Sequence, residues 1–282
     1  MIAICSMVRK PFNFDTWLDY HLSIGTDYIF LRVEDTPELK ELIDRYPNVF
    51  AYYDDDSNKR NNYFTQMNRQ KHLIEHFIPK MEELSIDWLI HIDSDELVCS
   101  KSNLKLFFNS ISEKYDVVKI DNYEAVYGED SLDNPFYQSN KFKINNLLAY
   151  ANGKSAVRFN HIDLSHSNIK KESNNHGWTG FSPHRFKGEA IKPLPSEIVI
   201  LHFESATYDV WYEKFRNDSD MDKEAFESIP FEFYRKSIEI IRTGDKELAR
   251  EYYNKMKVNV VDNIITLYWT PQLESKNINW VR

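Results

Sequence analysis

The first hundred residues alternate between short apolar runs and segments in which apolar residues recur every three or four positions. The apolar runs predict four buried strands, at residues 2–8, 28–33, 49–53 and 88–92. Helical spacing fills the segments between them, at residues 14–22, 38–46 and 63–84. This alternation predicts an α/β fold in which helices flank a mainly parallel, Rossmann-like central sheet.

The pattern loosens after residue 100. Further elements are predicted as a helix at 104–111 and strands at 117–120 and 198–203, with a polar, loop-rich stretch at 129–187. Helices with many paired charges follow from residue 209 to residue 257. We therefore expect one α/β domain over residues 1–215 and a helical C-terminal extension over residues 216–282.

Composition excludes several classes of protein. The chain has 35 Lys and Arg against 44 Asp and Glu, a net charge of -9, which disfavours general attraction to nucleic acid or anionic lipid. Its two cysteines, Cys5 and Cys99, are too few for a disulfide framework or a cysteine-based zinc site. No apolar run approaches the roughly 18–20 residues of a membrane span. We expect a cytoplasmic protein, and its oligomeric state is not indicated.

Two carboxylates follow the fourth apolar run. Strand alternation predicts that Asp93 and Asp95 share one face, with Ser94 on the other. A divalent cation, a basic partner or a shared proton would relieve their repulsion, and oxygen ligands favour Mg²⁺ or Mn²⁺. Acids also simply end strands, so both interpretations stay open. Because ligands bind at the carboxyl ends of parallel strands, we expect the site at this edge of the sheet.

Longer segments resemble a known family. Residues 88–97, Trp-Leu-Ile-His-Ile-Asp-Ser-Asp-Glu-Leu, resemble the strand and Asp-x-Asp signature of glycosyltransferases with the GT-A fold. Residues 17–29 are similar to the helix after the first strand in the family-2-like and family-92-like groups. Residues 154–158 and 200–215 extend the resemblance over about 2–215. The first turn departs from the pattern, since Arg9 and Lys10 stand where these families often have Asn-Glu.

The resemblance implies an inverting hexosyltransferase. Such an enzyme moves a sugar from a UDP- or GDP-linked donor to a hydroxyl acceptor on a glycan or a protein. It implies a nucleotide-binding half at about residues 1–100 and an acceptor half at about 101–215. It also implies that Asp93, Asp95 and His202 hold Mn²⁺ or Mg²⁺ against the donor diphosphate.

The resemblance also implies roles for other residues. Residues expected around the donor are Met7, Arg9, Asp35, Asn68, Arg69, Asp93, Ser94 and Arg158. Among these, Arg158 is expected to stabilise the leaving diphosphate. Candidate catalytic residues are Asp95, Glu96, His176 and His184. The two histidines lie in a Gly- and aromatic-rich segment suited to an acceptor sugar, where no acid stands at the usual position of the base. Glu172, Asp163 or a residue elsewhere in the chain are the alternatives for that base.

Several of these residues also have purely structural interpretations. His202 suits a hydrogen-bonded core histidine, Asp35 a helix cap before a proline, and Arg69 a surface ion pair. Two other functions stay open. One is a haloacid-dehalogenase-like phosphohydrolase with Asp93 as nucleophile, although such enzymes normally have their acids after the first strand. The other is a non-enzymatic carbohydrate-binding protein whose acids hold calcium.

Overall fold

The computed structural model describes residues 1–54, 63–161, 170–171, 178–179, 188–268 and 279–280. The strands in those ranges are β1 (Ile2–Val8), β2 (Tyr28–Glu34), β3 (Val49–Asp54), β4 (Trp88–His91), β5 (Glu96–Ser100), β6 (Val117–Ile120), β7 (Asn122–Val126), β8 (Lys141–Lys143), β9 (Lys154–Arg158), β10 (Lys170–Lys171), β11 (Trp178–Thr179), β12 (Ala190–Ile191), β13 (Ile198–His202), β14 (Ile264–Tyr268) and β15 (Asn279–Trp280). The helices are α1 (Phe14–Ser23), α2 (Leu39–Ile43), α3 (Tyr63–Glu83), α4 (Leu104–Asn109), α5 (Pro135–Gln138), α6 (Tyr208–Asp218), α7 (Lys223–Ser228), α8 (Glu232–Thr243) and α9 (Lys246–Tyr253). A 3₁₀ turn spans Phe159–His161 and a π-helical turn spans Asn254–Val258.

The larger sheet has the strand order β12-β6-β9-β4-β1-β2-β3. Strands β4, β1, β2 and β3 are parallel neighbours, and β9 runs antiparallel to both β4 and β6. Parallel strands flanked by helices are buried on both faces, which explains their nearly continuous apolar runs. The prediction of an α/β fold with a mainly parallel central sheet is confirmed.

The chain enters a second sheet at β5, soon after it leaves β4 of the larger sheet. Its order is β15-β14-β8-β7-β13-β5, and β5 starts at Glu96, five residues after β4 ends at His91. Strand β13 lies between β5 and β7, antiparallel to the first and parallel to the second. The two sheets share one hydrophobic core, to which Ile4 of β1, Leu97 of β5 and Ile200 of β13 all belong. The opposite face of the larger sheet packs on α3 through a second core.

Helix α1 covers the outer edge of β5. Trp17 Nε1 donates to the carbonyl of Glu96 at 2.7 Å, and Tyr20 OH donates to the carbonyl of Val98 at 2.9 Å. The ring of His21 accepts from the amide of Val98 at 3.3 Å through Nε2, while its Nδ1 donates to the carbonyl of Trp17 at 2.8 Å. Buried edge strands need such partners for their backbone groups. The Trp and His of the family-like segment are therefore structural in this protein.

The C-terminal helices have an aromatic core of their own. It contains Trp211 and Phe215 of α6, Phe233 of α8 and Tyr253 of α9. The chain then returns to the second sheet, where β14 pairs with β8. The structure thus differs from the predicted helical extension over 216–282: α6 crosses the expected boundary, and Ile264–Tyr268 is a strand. None of the helices in the described ranges has the length and apolar character needed to span a membrane.

The buried His21 gives a testable pH dependence. Burial lowers its pKa to about 3, although its hydrogen bond to the Trp17 carbonyl acts the other way. The unfolded chain, with an ordinary histidine pKa of about 6.5, binds more protons between these values. The free energy of unfolding should therefore fall as pH drops from about 6.5 towards 3, by up to about 1.4 kcal/mol per pH unit from this residue.

His21→Gln should be less stable at pH 7 but lose stability less steeply on acidification. Urea unfolding at pH 7, 6, 5 and 4 measures both quantities. His72→Gln, on an exposed side chain of α3, is the matched control and should leave the slope unchanged. An unchanged slope for His21→Gln would contradict this account.

Candidate functional site

Acidic side chains cross the second sheet in one row. His202 of β13 is in register with Glu96 of β5 on one side and with Glu124 of β7 on the other. Laterally paired residues share a face, and Glu204, in the turn just after β13, places its Oε2 3.6 Å from Nε2 of His202. The row lies where the β4–β5 connection, carrying Asp93 and Asp95, passes the end of β13. That connection follows the carboxyl end of β4, the edge at which the sequence predicted the site.

Asp95, His202 and Glu204 form the closest cluster. The Nε2 atom of His202 lies 3.6 Å from Oδ2 of Asp95 and 3.6 Å from Oε2 of Glu204. One ligand atom from each residue lies within 4.8 Å of the others. The side chain of Asp95 is 28% exposed, whereas those of His202 and Glu204 are 4% and 1% exposed. The cluster is therefore buried on the sheet side and opens towards solvent at Asp95.

The charges of this cluster shift the pKa of its histidine. Burial alone would lower the pKa of His202, but Asp95, Glu96 and Glu204 outweigh burial and raise it to about 9. Burial raises the pKa of Glu204, but Lys214 and His202 more than offset that effect and hold it below its ordinary value. At neutral pH an imidazolium thus lies between two carboxylates.

The donor set suits a divalent cation. Two carboxylates and one imidazole match the oxygen and nitrogen ligands that Mn²⁺ accepts. Asp95, His202 and Glu204 would hold the ion, with the imidazole neutral, as metal ligation requires. The other ring nitrogen of His202, Nδ1, is buried and has no hydrogen-bond partner among the described residues. The residues present therefore fit the divalent metal that the family resemblance implies. In the ligand set, Glu204 takes the place that was expected for Asp93.

Asp93 lies apart from this cluster. Its Oδ1 accepts from Gln70 at 3.1 Å and its Oδ2 lies 2.5 Å from Lys154 Nζ. The expectation that Asp93 and Asp95 share a strand face is wrong, because β4 ends at His91 and residues 93–95 form a turn before β5. Alternation does not apply in a turn, and the two carboxylates meet different partners. Ser94, between them, is half-buried.

Glu96 is fully enclosed. Its carboxylate lies 3.2 Å from Lys154 Nζ, accepts from the amide of Asp93 at 2.7 Å and accepts from Tyr150 OH. Burial raises the pKa of Glu96 to about 7, despite the opposing effect of Lys154. Because none of this side chain reaches the surface, the structure does not place Glu96 where it would touch a substrate, contrary to the expected catalytic role.

In the basic segment of β9, Lys154 rather than Arg158 contacts the acids that follow β4. Lys154 is buried between Asp93 and Glu96, and Gly153 precedes it with φ 64°, where a Cβ would lie 1.9 Å from the carbonyl oxygen of Ile120. Arg158 is four residues further along the strand, in register with Trp88 at the start of β4. It stacks on that indole and donates to the carbonyls of residues 111 and 115. This is the opposite end of β4 from Asp93, so the expected diphosphate contact is wrong for Arg158.

A pocket of about 500 Å³ lies at that opposite end, lined in part by Trp88 and Arg158. Its lining includes none of the Asp95, His202 and Glu204 cluster. The pocket is thus separate from the candidate site.

The residues expected around the nucleotide lie at the ends of β1 and β2. Met7 is half-buried near the end of β1. Arg9 Nε lies 3.3 Å from Oδ2 of Asp35, so the two turns are paired. Both turns are strained, with φ 49° at Asp35 and 45° at Lys10, and such backbone is common at binding sites.

Arg69 has a structural partner. Its Nε lies 2.8 Å from Oε1 of Glu34, which also lies 2.7 Å from Nε of Arg32. Arg69 is buried, and Asn68 beside it on α3 is exposed. The ion-pair interpretation of Arg69 is therefore the one its contacts support. His176 and His184 lie outside the described residues, and their expected catalytic role stays a prediction.

Four further residues near the site had no role in the sequence prediction: Glu204, Lys154, Gln70 and Lys214. The signal for Glu204 was only that it is an acid two residues after His202, because β13 ends at His202 and strand alternation does not extend to the turn that carries Glu204. Lys154 lies in the family-like segment at residues 154–158, but the resemblance implied a role for Arg158, at the other end of that segment. Lys214 of α6 pairs with Glu204, ten residues earlier in the chain, and this contact depends on how α6 packs against the end of β13, which no local pattern predicts.

No protein-family model matches the chain. It is 23% identical over 300 residues to a glycosyltransferase-like protein of Arabidopsis thaliana, covering 88% of this chain and 64% of the relative. It is 24% identical over 230 residues to a second glycosyltransferase-like protein of that plant, covering 66% of this chain and 43% of the relative. The chain thus spans less than two thirds of the length of these relatives.

Two solved structures show a weaker likeness. HddC from Yersinia pseudotuberculosis has a TM-score of 0.39 at 12% identity, covering 76% of this chain and 97% of HddC. S. aureus TarS has a TM-score of 0.39 at 13% identity, covering 92% of this chain and 46% of TarS. Scores at this level do not assign a family.

The Lys154 ion pairs give a stability prediction. Lys154→Met leaves Glu96 buried without its cation, and removing one partner of a buried pair costs about 3–5 kcal/mol. Urea unfolding at pH 8 should show a loss of this size. The double variant Lys154→Met with Glu96→Gln should recover part of it, because neither charge is then buried. Lys101→Met, at an exposed position, is the control; a loss below about 1 kcal/mol for Lys154→Met would show that the pair does not stabilise the fold.

Proposed function

We propose that the protein is a metal-dependent glycosyltransferase that moves a hexose from a nucleoside-diphosphate sugar to a hydroxyl acceptor on a glycan or a protein. The observation that carries the proposal is the cluster of Asp95, His202 and Glu204 beside the carboxyl end of β4. Parallel α/β sheets bind ligands in the crevice at that edge. The similarity to glycosyltransferase-like proteins of Arabidopsis thaliana supports the same activity.

The proposed cation is Mn²⁺ or Mg²⁺, held by Asp95, His202 and Glu204. When bound, it would neutralise charge on the donor diphosphate as that group leaves. Asp95 is the most exposed of the three side chains, so it is the residue that faces an entering donor. The buried pair of His202 and Glu204 fixes the inner side of the site.

The proposed nucleotide position lies over the ends of β1 and β2. Arg9 and Asp35, paired in the two turns, would bind phosphate and ribose or base, with Met7, Ser94 and Asn68 nearby. Burial raises the pKa of Asp218 on α6, and Lys214 and Arg9 partly offset the rise. The charges of Arg9 in the first turn and of Asp218 on α6 are therefore close enough to influence each other.

An inverting outcome is part of the proposal. His176 or His184 would remove the acceptor proton, since imidazole is a common general base near neutral pH. The anomeric configuration of the product, measured by proton NMR before mutarotation, tests inversion. Loss of turnover without loss of donor binding in His176→Ala or His184→Ala would identify the base.

The metal site gives the direct mutational test. Asp95→Asn and His202→Ala should each weaken Mn²⁺ binding at least about tenfold, or roughly 1.4 kcal/mol, and should abolish Mn²⁺-dependent donor binding. Asp93→Asn should weaken binding of the metal alone far less, because Asp93 contacts Lys154 and Gln70 instead. Isothermal titration with Mn²⁺, followed by a thermal-shift panel of UDP-, GDP- and TDP-sugars, measures these effects.

The opposite pattern would refute the assignment. If Asp93→Asn abolished metal binding while Asp95→Asn retained it, the proposal that Asp95, His202 and Glu204 hold the metal would be wrong. Metal-dependent hydrolysis of p-nitrophenyl phosphate, lost in Asp93→Asn and unaccompanied by nucleotide-sugar binding, would favour the phosphohydrolase instead. A His202→Ala protein that loses about 2 kcal/mol of stability and keeps its metal affinity would make His202 a core residue.

A further inference from the structure

Glu204 connects the candidate site to the C-terminal helices. Lys214 Nζ of α6 lies 2.9 and 3.0 Å from its two carboxylate oxygens. Tyr234 OH of α8 donates to Oε2 at 2.7 Å, and Ser205 Oγ donates to Oε1 at 2.5 Å. The carboxylate that completes the cluster is therefore held by groups from α6 and α8, two helices on which no functional residue was predicted from the sequence.

The backbone of Glu204 is held as firmly as its side chain. Tyr127 OH donates to the carbonyl of Glu204 at 3.0 Å, and Tyr253 OH of α9 donates to the carbonyl of Ser205 at 3.1 Å. Ser205 has φ 53°, a left-handed conformation that these contacts maintain. Glu204 therefore has little freedom to turn away from Lys214 when a cation enters.

Lys214 differs from the other buried counter-ions of the sheet. Lys154 and Lys257 pair with Glu96 and Glu124, and their side chains are 2% and 1% exposed. The side chain of Lys214 is 35% exposed, and its ammonium packs over the ring of Tyr234 at 4.5 Å. Lys214 is thus a partly exposed cation that lies beside Glu204 and neutralises the charge of this proposed metal ligand.

We propose that Lys214 is a positioning residue that lowers and sets the divalent-metal affinity of the Asp95, His202 and Glu204 cluster. This proposal rests on the proposed function for the metal site. Its ammonium occupies both oxygens of Glu204 and repels a second cation close by. The protein therefore holds the metal only moderately by itself, and a donor diphosphate would supply the remaining negative charge. Lys214 is the group through which the C-terminal helices place a positive charge beside the site.

A purely structural role for Lys214 predicts the opposite sign. If Lys214 only held Glu204 in place, its removal would disorder the cluster and weaken metal binding. If it opposes the metal, replacing it with a neutral side chain strengthens metal binding. The sign of the change in Mn²⁺ affinity therefore separates the two roles.

Isothermal titration of the full chain with Mn²⁺ alone, without any sugar nucleotide, is the experiment. Lys214→Gln, which keeps a donor for Glu204 but removes the charge, should lower the Kd for Mn²⁺ at least about tenfold. Lys214→Met tests the same loss of charge with the packing on Tyr234 retained and should act in the same direction. Lys214→Arg keeps the charge and should stay within about threefold of the wild type, as should Tyr234→Phe. Lys223→Gln, on an exposed pair of α7, controls for net charge.

An unchanged or weaker Mn²⁺ affinity in both neutral variants would overturn the proposal. So would equal tightening in Lys223→Gln, because the effect would then be one of overall charge. The outcome is separable from that of the proposed function, which is tested by donor binding. Tight Mn²⁺ binding in Lys214→Gln without binding of any nucleotide sugar would retain the role of Lys214 and reject the transferase. Donor binding together with an unaltered Mn²⁺ affinity in Lys214→Gln would support the transferase and reject the proposed role of Lys214.

Discussion

Burying a carboxylate costs several kcal/mol unless a cation lies beside it, and this protein meets that constraint three times, twice in the second sheet and once in the turn that follows β13. Glu96, Glu124 and Glu204 are almost fully buried. Each has its own lysine: Lys154 from β9 and Lys257 from the π-helical turn come from distant parts of the chain, and Lys214 comes from α6, the helix that follows β13. These pairs join the larger sheet, the C-terminal segment and the helices to one row of acids.

The same row accounts for the candidate site. His202 lies in the middle of it, in register with two glutamates and adjacent to a third. Asp95 adds the only carboxylate of the described cluster that is substantially exposed. A site that combines fixed, buried ligands with one open ligand can bind an ion that also contacts a substrate. The metal chemistry proposed for this protein depends on that combination.

The sequence predicted the parallel sheet well because its strands are buried on both faces and produce unbroken apolar runs. It also predicted, for the same reason, that the acids after β4 lie at the carboxyl edge of that sheet. It failed at residues 93–95, where a turn replaces the expected strand and separates Asp93 from Asp95. The paired family-like residues Trp17 and His21 have a structural explanation, since both bond the edge of β5. Contacts such as Lys214 with Glu204 depend on tertiary packing, which leaves no periodic signal along the chain.

The central claim is that Asp95, His202 and Glu204 bind the cation that faces the donor. Crystals grown with Mn²⁺ and a nucleotide sugar, measured at the manganese absorption edge, test it most directly. The account predicts an anomalous peak about 2.0–2.2 Å from a carboxylate oxygen of Asp95 and from Nε2 of His202, the range that oxygen and nitrogen ligands have around a divalent zinc ion, with the diphosphate on the exposed side. A peak bound to Asp93 and remote from His202, or a diphosphate seated away from Asp95, would contradict it.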